Sequence, residues 1–224
     1  ATINNFTYDL TTLALTLTTP AENSIDNETV AIDFTLPEAA SSGTVKMTFT
    51  RTSGTEDDNA PHIITFNSNF ETATQHTTNL IGSNLGDNAN VARATADADL
   101  EDGAIYSVKI EYQDGVGNTA ASVTNSTFTY DVTAPTIDQV TAVTTPGNDP
   151  TPDYVFSTDE VGAITVSPAG VQTATANASA PPNNTTITFT NGSGGDLDEA
   201  CYSYVEITVT DPAVNVSNTL SVTQ

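Results

Sequence analysis

Alternation with a period of two runs through this chain and limits what it can fold into. "VAIDFTL" sets Val30, Ile32, Phe34 and Leu36 on one face, and "VKMTFT" does the same with Val45, Met47 and Phe49. "IYSVKIEYQD" aligns Tyr106, Val108, Ile110 and Tyr112. The pattern returns at Tyr154 and Phe156, Ile164 and Val166, Ile187 and Phe189, Val205, Ile207 and Val209, and Leu220 and Val222. Successive side chains of a strand point to opposite faces, so each such run reads as a half-buried strand. Turn clusters such as "PEAASSG", "DGVGN" and "NGSGGD" separate the runs. No segment carries a helical period, and the polar stretch 82–99 is expected to hold one short turn at most. Short strands punctuated by Gly, Pro and Asn predict an all-β chain of antiparallel sandwiches. No run of about 18 apolar residues occurs, so membrane insertion by a helix is not expected.

The alternation is itself repeated. "YDLTTLAL" at 8–15 and "YDVTAPTI" at 130–137 carry the same punctuation, 122 residues apart. At that offset Phe34 matches Phe156 and Glu38 matches Glu160. Further on the offset becomes 97, where "KIEYQDGVGN" aligns with "EITVTDPAVN", Asp114 with Asp211 and Asn118 with Asn215. Two copies of one module are therefore expected, the second lacking about 25 residues in its middle. The boundaries read as a strand-forming segment 1–9, domain 1 over 10–131 and domain 2 over 132–224.

"YDVTAPTI", "FSTDEVGAITV" and "ITVTDPAVNVSNTLSV" resemble the tandem bacterial immunoglobulin-like domains of large surface proteins and adhesins. The likeness covers the second module well and the first more loosely, because the first has longer loops near 52–62 and 82–99. Pro212 and Val214 stand where that family shows a small residue and Gly. The resemblance implies seven-strand sandwiches used as a stalk, extracellular or on the cell surface, sometimes with calcium at the joints.

Charge narrows the partners. Four basic residues stand against 28 acidic ones, a net charge of −24. Nucleic-acid binding needs clustered Lys and Arg to displace counterions, and four cannot supply that surface. In an Ig-like topology the start of strand A, the B–C turn and the F–G turn share one pole. That pole would gather Asp9, Glu38, Asp114 and Asn118 in domain 1. In domain 2 it would gather Asp131, Glu160, Asp211 and Asn215. Calcium takes six to eight hard oxygen ligands in flexible geometry, so these sets make Ca2+ the candidate ion. Clustered His or Cys, which zinc would need, is lacking there. Asp and Asn are also ordinary turn residues whose side chains cap the backbone, which needs no metal.

Other chemistry finds no support. Cys201 is the only cysteine and has no neighbouring base in the sequence pattern. His62 and His76, the only histidines, are flanked by polar residues and read as surface or loop positions. Asp57 and Asp58 read as a solvated loop. Eight N-x-S/T matches, Asn5, Asn27, Asn125, Asn184 and Asn215 among them, leave glycosylation open in a Thr-rich chain. The chain is expected not to be an enzyme.

One phrase is out of place. Phe6-Thr7-Tyr8-Asp9 repeats Phe128-Thr129-Tyr130-Asp131, the end of the last strand of domain 1. Domain 2, aligned through Asn215, stops four residues short of that phrase. Residues 1–9 are therefore expected to complete domain 2 of a neighbouring copy, with Ile3, Phe6, Tyr8, Leu220 and Val222 at the contact. The expected function is a structural subunit of a filament or surface stalk, with identical subunits joined head to tail by strand donation. The alternatives are a tandem-repeat fragment of a giant adhesin, or a surface module that binds a glycan, another ligand or a cell-surface partner.

Overall fold

A computed structural model describes residues 8–168, 170–179 and 181–222. The chain divides into two compact units, the first ending at Val132 and the second starting at Thr133.

Unit 1 contains β1 (Thr16–Thr19), β2 (Ile25–Asp26), β3 (Thr29–Thr35), β4 (Lys46–Gly54) and β5 (His62–Phe66). A single 3-10 turn, Ser68–Phe70, leads to β6 (Gln75–Ile81), β7 (Val91–Ala94), β8 (Ala104–Glu111) and β9 (Val123–Tyr130). One sheet runs β1-β3-β6 and the other β2-β9-β8-β4-β5-β7. Pairing is antiparallel except between β2 and β9, which run parallel. The alternating apolar positions form the core between them: Val30, Ile32 and Phe34 from one sheet, Met47, Phe49, Tyr106, Val108 and Ile110 from the other. Each such side chain contributes roughly 1.5–3 kcal/mol by leaving water, which is why the period of two decides the architecture. The stretch 82–99 departs from expectation. Besides hydrogen-bonded turns that close at Asn84, Asp87 and Val91, it holds β7, which pairs with β5. The residues that lengthen the first module thus widen its sheet.

The end of β9 is a plug. Phe128 and Tyr130 are 0% and 2% exposed. Phe128 meets Phe49 edge-on, with ring centroids 6.1 Å apart. The Tyr130 ring lies over Gly82, where an added Cβ would stand 2.2 Å from it, and its hydroxyl donates to Glu28 at 2.6 Å. Burial and the Glu28 carboxylate push the Tyr130 phenol far above its ordinary pKa.

Unit 2 repeats the plan with shorter strands: β10 (Ile137–Thr141), β11 (Asp153–Thr158), β12 (Gly162–Ser167), β13 (Val171–Thr173), β14 (Asn177–Ala178), β15 (Thr185–Asn191), β16 (Glu206–Thr210) and β17 (Leu220–Ser221). Its sheets run β10-β11-β15-β13 and β14-β12-β16-β17. Ile137, Tyr154, Phe156, Ile187, Phe189, Ile207 and Val209 make the core. The protein is all-β, two Ig-like antiparallel sandwiches in tandem. Among the described residues no helix is long and apolar enough to cross a membrane.

Candidate functional site

The topology gathers one acidic set within unit 1. Asp9 precedes β1, Glu38 lies between β3 and β4, and Asp114 lies between β8 and β9. Each offers a carboxylate oxygen within 4.8 Å of the others. Asp114 is 2% exposed and is built into its loop. Its Oδ1 accepts from the amides of Val116 and Asn118, both at 2.9 Å, and its Oδ2 from Asn118 Nδ2 at 2.7 Å. Asn118 Nδ2 also reaches the carbonyl of Asp9 at 3.4 Å, tying the loop to the N-terminal segment. Burial opposes the charge on Asp114, but the Asn118 side chain and the loop amides together outweigh it and hold the carboxyl below its ordinary range.

Glu38 is held from the other side. Its Oε1 accepts from the Thr12 hydroxyl, from the Leu13 amide at 2.6 Å and from the Tyr112 hydroxyl at 3.3 Å. The Thr12 hydroxyl first, then the Leu13 amide, hold the Glu38 carboxyl below its usual value. Burial pushes the Tyr112 phenol up. The residues ahead of β1 are thus clasped by Glu38, Tyr112 and Asn118. The Thr12, Leu13, Tyr112 and Asn118 donors draw three carboxylates together, and their oxygen chemistry suits a hard divalent cation.

The second sequence-predicted set is split by the unit boundary. Asp131 closes unit 1, where its amide donates to the Asp26 carbonyl at 3.0 Å. Glu160, Asp211 and Asn215 belong to unit 2. Glu160 and Asp211 each offer an oxygen within 4.8 Å of the other. Asp211, 5% exposed, repeats the Asp114 arrangement: Oδ1 accepts the Asn215 amide at 2.8 Å and Oδ2 its Nδ2 at 3.0 Å. Asn215 Nδ2 also donates to the Thr133 carbonyl at 3.2 Å, as Asn118 does to Asp9. Among the N-x-S/T asparagines, Asn125, Asn191 and Asn215 are engaged internally, Asn125 through Nδ2 to the Pro20 carbonyl at 2.6 Å and Asn191 through Nδ2 to the Asp196 carbonyl at 2.7 Å.

Of the contact residues, Ile3 and Phe6 lie outside the described residues. Tyr8 is 73% exposed. Leu220 in β17 and Val222 beyond it are half-buried against the unit 2 core.

Polar residues in unit 1 differ from their sequence reading. His62 and His76 are buried, and so is Asp57. His62 Nε2 stands 2.7 Å from Asp57 Oδ2, which also accepts the Tyr106 hydroxyl at 2.6 Å. Asp57 Oδ1 takes the amides of Asn59 and Ala60. Burial works against the Asp57 charge, and the Tyr106 and His62 hydrogen bonds overcome it, leaving its pKa lowered. The signal was present: His62 is in phase with Ile64 and Phe66 on the core face of β5. A buried imidazole needs a partner, and Asp57, five residues upstream, supplies it.

A groove opens in unit 2. It has a volume of about 1100 Å³ and lies between residues 141–153 and 197–205, with Val171, Phe189 and Val222 in its lining. Asp149, Asp153, Asp198 and Glu199 line it as well, with the exposed Cys201. No sequence pattern marks this groove.

No family model matches the chain, and no curated protein matches it in sequence. Among solved structures, the fibronectin(III)-like modules of Clostridium thermocellum CbhA are similar at 12% identity. That match covers 92% of this chain and 90% of that chain, with a TM-score of 0.37. A chicken TCR structure is similar at 8% identity, covering 88% of this chain and 96% of that one, with a TM-score of 0.24. Likeness at this level carries no argument about what the chain does. The Ig-like assignment rests on its own sheets.

Proposed function

We propose that this protein is a non-enzymatic structural subunit of an extracellular filament or surface stalk, related to bacterial immunoglobulin-like domains. Residues 1–9 of one copy complete domain 2 of the next, so that identical subunits join head to tail. Head-to-tail contacts that do not close on themselves propagate into fibres. Calcium taken up by the acidic poles stiffens the joints. Asp9, Glu38 and Asp114 with Asn118 hold the ion in unit 1, and Glu160, Asp211 and Asn215 contribute in unit 2.

The observation that supports the reading is the fate of the repeated phrase. In unit 1, Phe128-Thr129-Tyr130 ends the last strand, and both aromatics are inside the core. The same side chains at Phe6 and Tyr8 would be costly to leave in water, about 1.5–3 kcal/mol for each large apolar group. Deleting residues 1–9 is expected to abolish polymers seen by negative-stain microscopy and sedimentation while both units still melt cooperatively. Polymers that persist in the deletion variant would refute strand donation.

A further inference from the structure

We infer that the outer face of the six-stranded sheet of unit 1 docks unit 2 of a second copy of this chain, through the carboxylates of Asp196, Asp198 and Glu199. The contact does not need strand donation. Only its consequence in a filament, side-by-side bundling, rests on that reading.

The chain has four basic residues, and the sheet register puts three of them on this one face. Met47 and Phe49 of β4 and Val108 and Ile110 of β8 are in the core, so Lys46 and Lys109 point away from it. Lys46 lies opposite Thr65 of β5, and Thr65 opposite Arg93 of β7, and paired residues share a face. With strands about 4.8 Å apart, the backbones at Lys46 and Arg93 are roughly 10 Å apart, with a threonine between them. Lys109, opposite Thr48, is diagonal to Lys46, and its ammonium is paired with Glu111 at 2.8 Å. Lys46 and Arg93 are exposed and have no ion pair among the described residues. Arg51, the fourth, closes its own loop by donating to the carbonyls of Thr55 and Gly54.

The occupant follows from how charge is divided along the chain. Unit 2 carries ten acidic side chains and no Lys, Arg or His. No approach of unit 2 sets cation against cation, whereas unit 1 of a second copy brings the same cations with it. Asp196, Asp198 and Glu199 are the densest acidic run of unit 2. They are three exposed side chains within four residues of the β15–β16 connection, and their carboxylates have no partner among the described residues.

Each exposed pair is weak, and two chains of net charge −24 repel one another at long range. The contact therefore has a salt window. At about 0.15 M salt, screening over about 8 Å quiets the distant charges while pairs in contact persist. At about 10 mM the repulsion reaches about 30 Å, and at about 1 M the pairs themselves are screened. Repeated along a filament, such contacts add up and join filaments side by side.

Carbodiimide condensation of equal parts of isotope-labelled and unlabelled full chain tests the inference. The reagent joins a lysine amine to a carboxylate in contact with it, and Lys109 with Glu111 is the control within one chain. Mass spectrometry should find mixed-isotope products joining Lys46 to residues 196–199, with a maximum at intermediate salt. Arg93→Glu, which removes no cross-linking group, should lower their yield about tenfold. The Lys46→Glu chain mixed with the Asp198→Lys chain should restore a mixed product with the polarity reversed. Lys46 products confined to one isotope, or formed with residues 97–102 of the second copy, would overturn the inference. A yield that rises steadily with salt would do the same. Mixed products from a protein that forms no polymers would keep this contact and remove the filament. Filaments that form without mixed products would keep the filament and remove this contact.

Discussion

The turn Asp114-Gly115-Val116-Gly117-Asn118 and the turn Asp211-Pro212-Ala213-Val214-Asn215 have the same hydrogen-bond plan on different residues. In both, the Asp amide donates to the Asn carbonyl, at 3.0 and 3.1 Å, and the Asp carboxylate holds the Asn amide and side chain. In both, the fourth residue has a positive φ, 96° at Gly117 and 71° at Val214. Glycine adopts that conformation without a steric penalty, whereas a β-branched residue is strained there. The Asp and Asn side chains therefore impose the turn, and Gly only lowers its cost. The units differ again in what supports them. Unit 1 adds β5 and β7 to its sheet and buries the Asp57–His62–Tyr106 group, with His62 on the core face of β5. Unit 2 has the two-residue β14 in that place and an open groove.

The largest effect should separate the units. Asp57→Ala leaves the buried Tyr106 hydroxyl and His62 ring without their acceptor, so unit 1 should lose roughly 3–5 kcal/mol. Unit 2 should be unchanged in hydrogen exchange resolved by unit; equal losses in both would show that the units are not independently stabilised. The same contribution has a pH signature. Asp57 has a lowered folded pKa, so its stabilisation is present above the unfolded value near 4 and disappears as pH falls through the folded one. Unit 1 of the unaltered protein should lose stability on acidification below about pH 4, and the Asp57→Ala variant should lose less.

The turn comparison can be sharpened by exchange. Val214→Gly should stabilise unit 2 by about 1–2 kcal/mol, and Gly117→Val should destabilise unit 1 by a similar amount. A Cβ at Gly117 meets open space, so the backbone conformation is the only penalty. Denaturant midpoints that move in neither variant would mean that the turns do not keep this conformation.

Calcium should give the smallest shift. With a dissociation constant on the order of 1 mM, 10 mM calcium stabilises by about 1.4 kcal/mol through mass action. The rise in Tm should disappear in chelator and be reduced by Glu38→Gln. Identical melts with calcium and with chelator would remove the ion and leave the Asx turns as the whole purpose of the acidic poles.

The strand positions, the core faces and the duplication were legible in the sequence because they depend on neighbours two residues apart and on repeated spacing. Val30, Ile32 and Phe34 had to share a face whatever else the chain did. The gathering of Asp9, Glu38 and Asp114 was also legible, since a sandwich topology alone returns those three connections to one pole. Asp57, His62 and the groove were not read that way. Whether a loop carboxylate is solvated depends on what packs against it, and Tyr106 of β8 reaches Asp57 only once the sheet is assembled. The groove depends on where one sheet stops beside the other, a distance between segments far apart in the chain. Local pattern determined the elements, and packing between the sheets decided which polar groups they enclose and which surface they leave open.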